Sequence, residues 1–117
     1  MTVRRVFVPF FLVALLVAAW AAHAAAHPTV DVVAANWKFT PAKITIPLGE
    51  PTTLRLTSSA GVHGIASEEL GIPNTTIMPG KFTEVTFTPK KAGEYLVHCS
   101  IMCGAGHDKM ILTIEVQ

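Results

Sequence analysis

Beyond the first 26 residues the apolar positions recur with period two and never with the 3.6 period of a helix. Thr53-Leu54-Arg55-Leu56-Thr57 alternates, with Leu54 and Leu56 on one face. Lys43-Ile44-Thr45-Ile46 repeats the pattern and is closed by Pro47 and Gly49. From Lys81 to Thr88, Val85 and Phe87 point inward and Pro89 ends the run. Tyr95, Val97 and Cys99 share a face, with Leu96 and His98 on the other. Met110, Leu112, Ile114 and Val116 then line up, with Thr113 and Glu115 outward. Short strands punctuated by Pro and Gly predict an all-β, antiparallel sandwich. Glu68-Glu69-Leu70 predicts a single turn at most.

The first 26 residues read differently. Arg4 and Arg5 precede a nearly unbroken apolar run from Val6 to Ala22, followed by Ala22-His23-Ala24 and Ala24-Ala25-Ala26 at signal-peptidase spacing. Residues 1–26 are therefore expected to be a signal peptide or a single membrane anchor, and residues 27–117 the folded domain. Membrane contact is expected only through residues 6–22, if they are retained. Either way the domain is placed outside the cytoplasm, in a periplasmic or other extracytoplasmic space. If cleavage follows Ala26, His27 becomes the N-terminus, and its amine and imidazole offer a second, minor copper chelate.

Within residues 27–117, Lys38, Lys43, Arg55, Lys81, Lys90, Lys91 and Lys109 face eight acids. That near balance gives no basis for binding nucleic acid. A domain near 90 residues benefits from a staple or a metal. In an oxidising compartment the two cysteines would by default form a disulfide.

The segment from Cys99 to Met110 weighs against that default. Cys99, Cys103, His107 and Met110 fall within twelve residues, in a loop that Gly104 and Gly106 allow to turn tightly. Thiolate, imidazole and thioether together favour copper over magnesium or calcium. Zinc accepts the first two and has little use for the third. A mononuclear blue site needs one thiolate, so the second suggests a pair bridging two coppers, each with a terminal imidazole. The second imidazole must come from elsewhere. His63, in Gly61-Val62-His63-Gly64-Ile65, is the candidate, in a turn between strands.

The order His63, Cys99-x-x-x-Cys103-x-x-x-His107-x-x-Met110 resembles the binuclear copper A site of the cytochrome c oxidase subunit II family; nitrous oxide reductase carries a similar one. The resemblance spans residues 30–117 and includes Phe39-Thr40-Pro41, Met78-Pro79-Gly80, Phe87-Thr88-Pro89 and Ala92-Gly93-Glu94-Tyr95. It implies a cupredoxin-type Greek-key β-sandwich, with Cys99 and Cys103 bridging two coppers and His63 and His107 each holding one. Met110 would be a weak ligand to one ion, and the Ile101 backbone carbonyl a weak ligand to the other.

Ile101 is also a departure. The family often has Glu there, helping to hold a magnesium at a subunit boundary, which Ile cannot do. The aromatic run near the first strand is reduced to Trp37 and Phe39. The expected function is electron transfer from a small redox protein such as a cytochrome c to a terminal oxidase or reductase. No bond chemistry is expected of the chain alone. The rivals are a copper chaperone or store, a mononuclear cupredoxin using Cys103, His107, Met110 and His63, and a metal-free disulfide domain. Around the site, Trp37 is expected in the core, Met78 and Met102 packed, His98 on the opposite face from Cys99, and Glu68 and Glu69 in solvent.

Overall fold

The computed structural model describes Thr2 and residues 27–117. The expected signal or anchor, with its apolar run at 6–22, lies outside the described residues. The strands are β1 (Thr29–Ala35), β2 (Lys38–Thr40), β3 (Lys43–Ile46), β4 (Thr52–Ser58), β5 (His63–Ser67), β6 (Ile72–Ile77), β7 (Thr83–Phe87), β8 (Gly93–His98) and β9 (Ile111–Val116). A single turn of 3-10 helix, His107–Lys109, precedes β9. Glu68 to Gly71 form the predicted turn, closed by Gly71 N–H donating to Glu68 O at 3.1 Å.

One sheet runs β2-β1-β4-β7 and the other β3-β9-β8. Their inner faces carry the residues that alternation marked as apolar. Leu54, Leu56, Val85 and Phe87 from the first sheet and Val97, Leu112, Ile114 and Val116 from the second join one buried cluster. Each such side chain stabilises the fold by about 2 kcal/mol relative to solvent. The Tyr95 hydroxyl donates to Lys91 O at 2.6 Å, a corner that fixes where the chain turns into β8.

The sandwich is not wholly antiparallel, as alternation had suggested. β1 runs parallel to β4, with Val32 opposite Leu56, and β3 parallel to β9, with Ile44 opposite Ile114. Alternation reports which face a side chain takes, and both pairings satisfy it equally. Direction depends on the crossovers that return β4 beside β1 and β9 beside β3.

The hairpin β5-β6 brings the functional residues together. β5 lies beside β8 and β6 beside β7, so the hairpin spans the two sheets. A lone antiparallel bridge pairs Ile65 with Cys99. It brings the start of β5 to the end of β8, where the cysteine-rich loop begins.

Candidate metal centre

Residues 100–109 leave the sandwich between β8 and β9, and the loop is pinned at its base. Cys99 N–H donates to Met110 O at 3.1 Å, and Ser100 N–H donates to Gly64 O at 3.0 Å. Farther along, His107 N–H donates to Gly104 O and Met110 N–H to His107 O, both at 3.2 Å, which makes the 3-10 turn. The loop is thus anchored to β5 at its start and folded on itself at its end.

Inside this frame the six residues singled out in the sequence come together. Cys99 Sγ and Cys103 Sγ are 3.4 Å apart. Both are free thiols, separated well beyond the length of about 2.05 Å of a disulfide. His63 Nδ1 is 4.0 Å from Cys99 Sγ, and His107 Nδ1 is 3.5 Å from Cys103 Sγ. Met110 Sδ is 3.9 Å from Cys103 Sγ, and the Ile101 carbonyl oxygen is 3.2 Å from Cys99 Sγ. The ligating atoms of His63, Cys99 and Cys103 all lie within 4.8 Å of one another.

Burial grades across the site. His63 and Met110 are 0% exposed, Cys99 is buried, and Cys103 and His107 are half-buried. The site is walled on the sandwich side and approached from the loop side. Burial, then the contact with Cys99, pushes the Cys103 thiol up to about 11. A metal entering at neutral pH must therefore displace protons.

His63 is oriented as a ligand histidine needs to be. Its Nε2 is 2.7 Å from Ala60 O. A carbonyl only accepts, so Nε2 carries a proton, and Nδ1 is the ring nitrogen left facing Cys99. Ser58 Oγ donates to Gly61 O at 2.6 Å and holds the same turn. His63 itself opens β5 rather than sitting in the preceding turn. Gly64 follows because nothing larger fits: a Cβ there would lie 2.5 Å from Ser100 Oγ and 3.0 Å from the Ile101 side chain.

Several surrounding residues depart from expectation. Trp37 is 40% exposed instead of in the core, and its indole N–H donates to the Cys103 carbonyl at 2.9 Å. Its polar edge has a partner on the loop, so the ring lies over the loop and not under the sheets. Met78 is 45% and Met102 78% exposed, so neither packs as expected. Alternation could not place these two, because both lie outside the strands. His98 is exposed on the outer side of β8, and Glu68 and Glu69 are exposed, as their positions implied. The Ser100 hydroxyl, which nothing in the sequence marked, donates to Asn74 Oδ1 at 2.7 Å and ties the loop to β6.

Two thiols, two imidazoles, a thioether and a carbonyl converging at the end of a β-sandwich form a soft donor set that fits copper. The chain belongs to the cupredoxin-like domain family, whose model matches residues 9–112. Within it, the chain is similar to cytochrome c oxidase subunit 2 of Thermus thermophilus, at 36% identity over 89 residues; the match covers 76% of this chain and 65% of that relative. The periplasmic domain of subunit II of cytochrome oxidase from Bradyrhizobium japonicum shares the fold, with a TM-score of 0.69 at 18% identity, covering 76% of this chain and 83% of that one. A chain of a heme-copper terminal oxidase dimer matches with a TM-score of 0.67 at 28% identity, covering 77% of this chain and 65% of that one. Copper is the metal that the family and the donor set imply.

Proposed function

We propose that this chain is an extracytoplasmic electron-transfer domain that holds two copper ions in a copper A centre. The observation that carries the reading is the pairing within the site. Two sulfurs lie 3.4 Å apart, with an imidazole nitrogen set against each. Cys99 and Cys103 would bridge the ions, and His63 and His107 would each complete one side. Met110 and the Ile101 carbonyl would be the weak ligands, one to each ion.

Copper bound there supplies a one-electron redox couple. The chain's own residues keep the donors still while the charge changes. Ala60 O holds the His63 ring in one orientation, Met110 is fixed by the core at the start of β9, and the base of the loop is closed by the Cys99 to Met110 hydrogen bond. A frame that does not rearrange lowers the cost of each transfer, and the apolar wall keeps water from the buried side. His107, half-buried at the loop face, is the route by which electrons pass to and from partners.

The partners would be a small redox protein such as a cytochrome c as donor and a terminal oxidase as acceptor. The similarity to oxidase subunit 2 supports the acceptor. Residues 1–26 would serve as signal or anchor and residues 27–117 as the domain. Copper delivery is a second reading, favoured by the two exposed thioethers of Met78 and Met102.

Metal titration of the full chain, followed by redox cycling beside a copper-free acceptor protein, separates these readings. Two coppers per chain, retained through the cycles, is the expected result. Saturation at one copper would overturn the binuclear centre, and surrender of copper to the acceptor would favour delivery.

A further inference from the structure

The turn between β1 and β2 consists of Asn36 and Trp37, and it touches both segments that carry candidate ligands. On one side, a Cβ at Gly61 would lie 2.6 Å from Asn36 Oδ1 and 3.1 Å from His63 Nε2. The Asn36 side chain therefore lies against the turn that orients His63. On the other side, a Cβ at Gly106 would lie 2.5 Å from Trp37 Cγ, and one at Gly104 would lie 3.0 Å from Trp37 Nε1. The same indole donates to the Cys103 carbonyl at 2.9 Å. Ser59 N–H also donates to Ala34 O at 2.9 Å, joining the end of β1 to the His63 side.

We infer that Asn36 and Trp37 are positioning residues, a wedge that sets the separation between the His63 turn and the loop carrying Cys103 and His107. Neither side chain is placed to bind metal. Gly106, with φ -95°, is small because the wedge occupies the space where its side chain would be, while Gly61 (φ 79°) and Gly104 (φ 123°) are glycine for their backbone as well as for that space. Apart from the wedge, the loop is held by its own short hydrogen bonds, by Ser100 N–H on Gly64 O and by the Ser100–Asn74 contact. Trp37 thus acts on the centre through the loop, and its exposed ring is the outer surface of a clamp.

The test uses the full chain with Trp37→Phe, Trp37→Ala, Trp37→Gly, Gly106→Ala and the Trp37→Gly/Gly106→Ala double variant. Three properties are read: copper release from the reduced protein to a cuprous chelator, the paramagnetic resonance of the oxidised protein, and amide exchange of residues 100–109 without metal. Trp37→Phe keeps a ring over the glycines and removes the N–H, so release is expected to be about three- to tenfold faster, the scale of one hydrogen bond. Trp37→Ala is expected to change the copper hyperfine couplings and to speed loop exchange while leaving β4 and β9 protected. Gly106→Ala should disturb release and resonance when Trp37 is present and have little effect beside Trp37→Gly, which also removes the Trp37 Cβ that would lie 2.6 Å from the added methyl, a coupling that a merely stabilising tryptophan would not produce. Equal effects of Gly106→Ala in both backgrounds, or loop exchange unchanged in Trp37→Ala, would overturn the wedge. The release and resonance arms rest on the copper reading, whereas the exchange arm does not. A wild-type chain that takes up a single copper would defeat the binuclear centre and leave the wedge to be decided by exchange.

Discussion

The body of the sandwich and its metal-bearing end are built on opposite plans. In the body each side chain answers to one rule, inward or outward, and many similar contacts share the work. Leu54, Leu56, Leu112 and Ile114 are all fully buried, and a volume-conserving change at any one would leave the others in place. At the end, groups have specific assigned partners: His63 has Ala60 O, Trp37 has Cys103 O, and Gly64 lies beneath Ser100 and Ile101. Stability is distributed over the first region, while specificity is concentrated in the second. Substitutions should therefore separate into those that alter unfolding and those that alter the metal.

The largest separation is expected at the cysteines. Cys99→Ser and Cys103→Ser should each abolish the two-copper state, measured as copper per chain, while the metal-free protein still unfolds cooperatively. Retention of two coppers in either variant would remove that residue from the centre. Cys99→Ser should cost more stability than Cys103→Ser, because it buries a hydroxyl where Cys103 is only half-buried.

Leu54→Ala probes the other region. The side chain is fully buried between the sheets, and its truncation should cost about 3 kcal/mol in urea unfolding of the metal-free protein. The copper spectrum of the folded fraction should be unchanged. A spectral change there would mean that body and end are mechanically coupled.

Met110→Leu falls on the boundary, since Met110 is both core and candidate ligand. The two side chains have similar volumes, so the stability loss should stay under about 1.5 kcal/mol. The reduction potential measured by voltammetry should nevertheless shift, because a thioether has been taken from the site. An unchanged potential would assign Met110 to the core alone.

The smallest effect is expected at Lys43. Its ammonium lies 3.0 Å from Glu115 and 3.5 Å from Glu94. The hydrogen bond and charge of Glu115, then Glu94, raise its pKa above the ordinary 10.5. The contribution is present at neutral pH and is lost as pH rises from 10.5 through the raised value. Lys43→Met should move Tm at pH 7 by no more than about 2 °C, with the difference from wild type vanishing in strong alkali.

The same contrast explains how much could be read from the sequence. Period-two alternation located β3, β4, β7, β8 and β9, because each has one buried face and all but β9 have Pro or Gly close to an end. The hairpin β5-β6 was hidden. His63, Gly64 and Ile65 are all buried, and Pro73 and Asn74 interrupt β6, so neither strand alternates. Cys99, Cys103, His107 and Met110 were legible because soft donors at this spacing have few other uses; His63 followed from the need for a second imidazole, and the Ile101 carbonyl only from the family resemblance. Their supports were not. The Ala60 carbonyl belongs to no residue type, and Trp37 has the composition of a core residue. Only the clearances at Gly61, Gly104 and Gly106 mark where Asn36 and Trp37 lie. Had those glycines been read as spaces reserved for another side chain, the wedge could have been sought from sequence.

Paramagnetic resonance of the copper-reconstituted, oxidised chain tests the central claim most directly. An electron shared equally by two coppers should give a hyperfine pattern richer than any single ion produces, and Cys99→Ser and Cys103→Ser should each lose it. A single-copper pattern at full loading would contradict the binuclear centre and leave a mononuclear cupredoxin in its place.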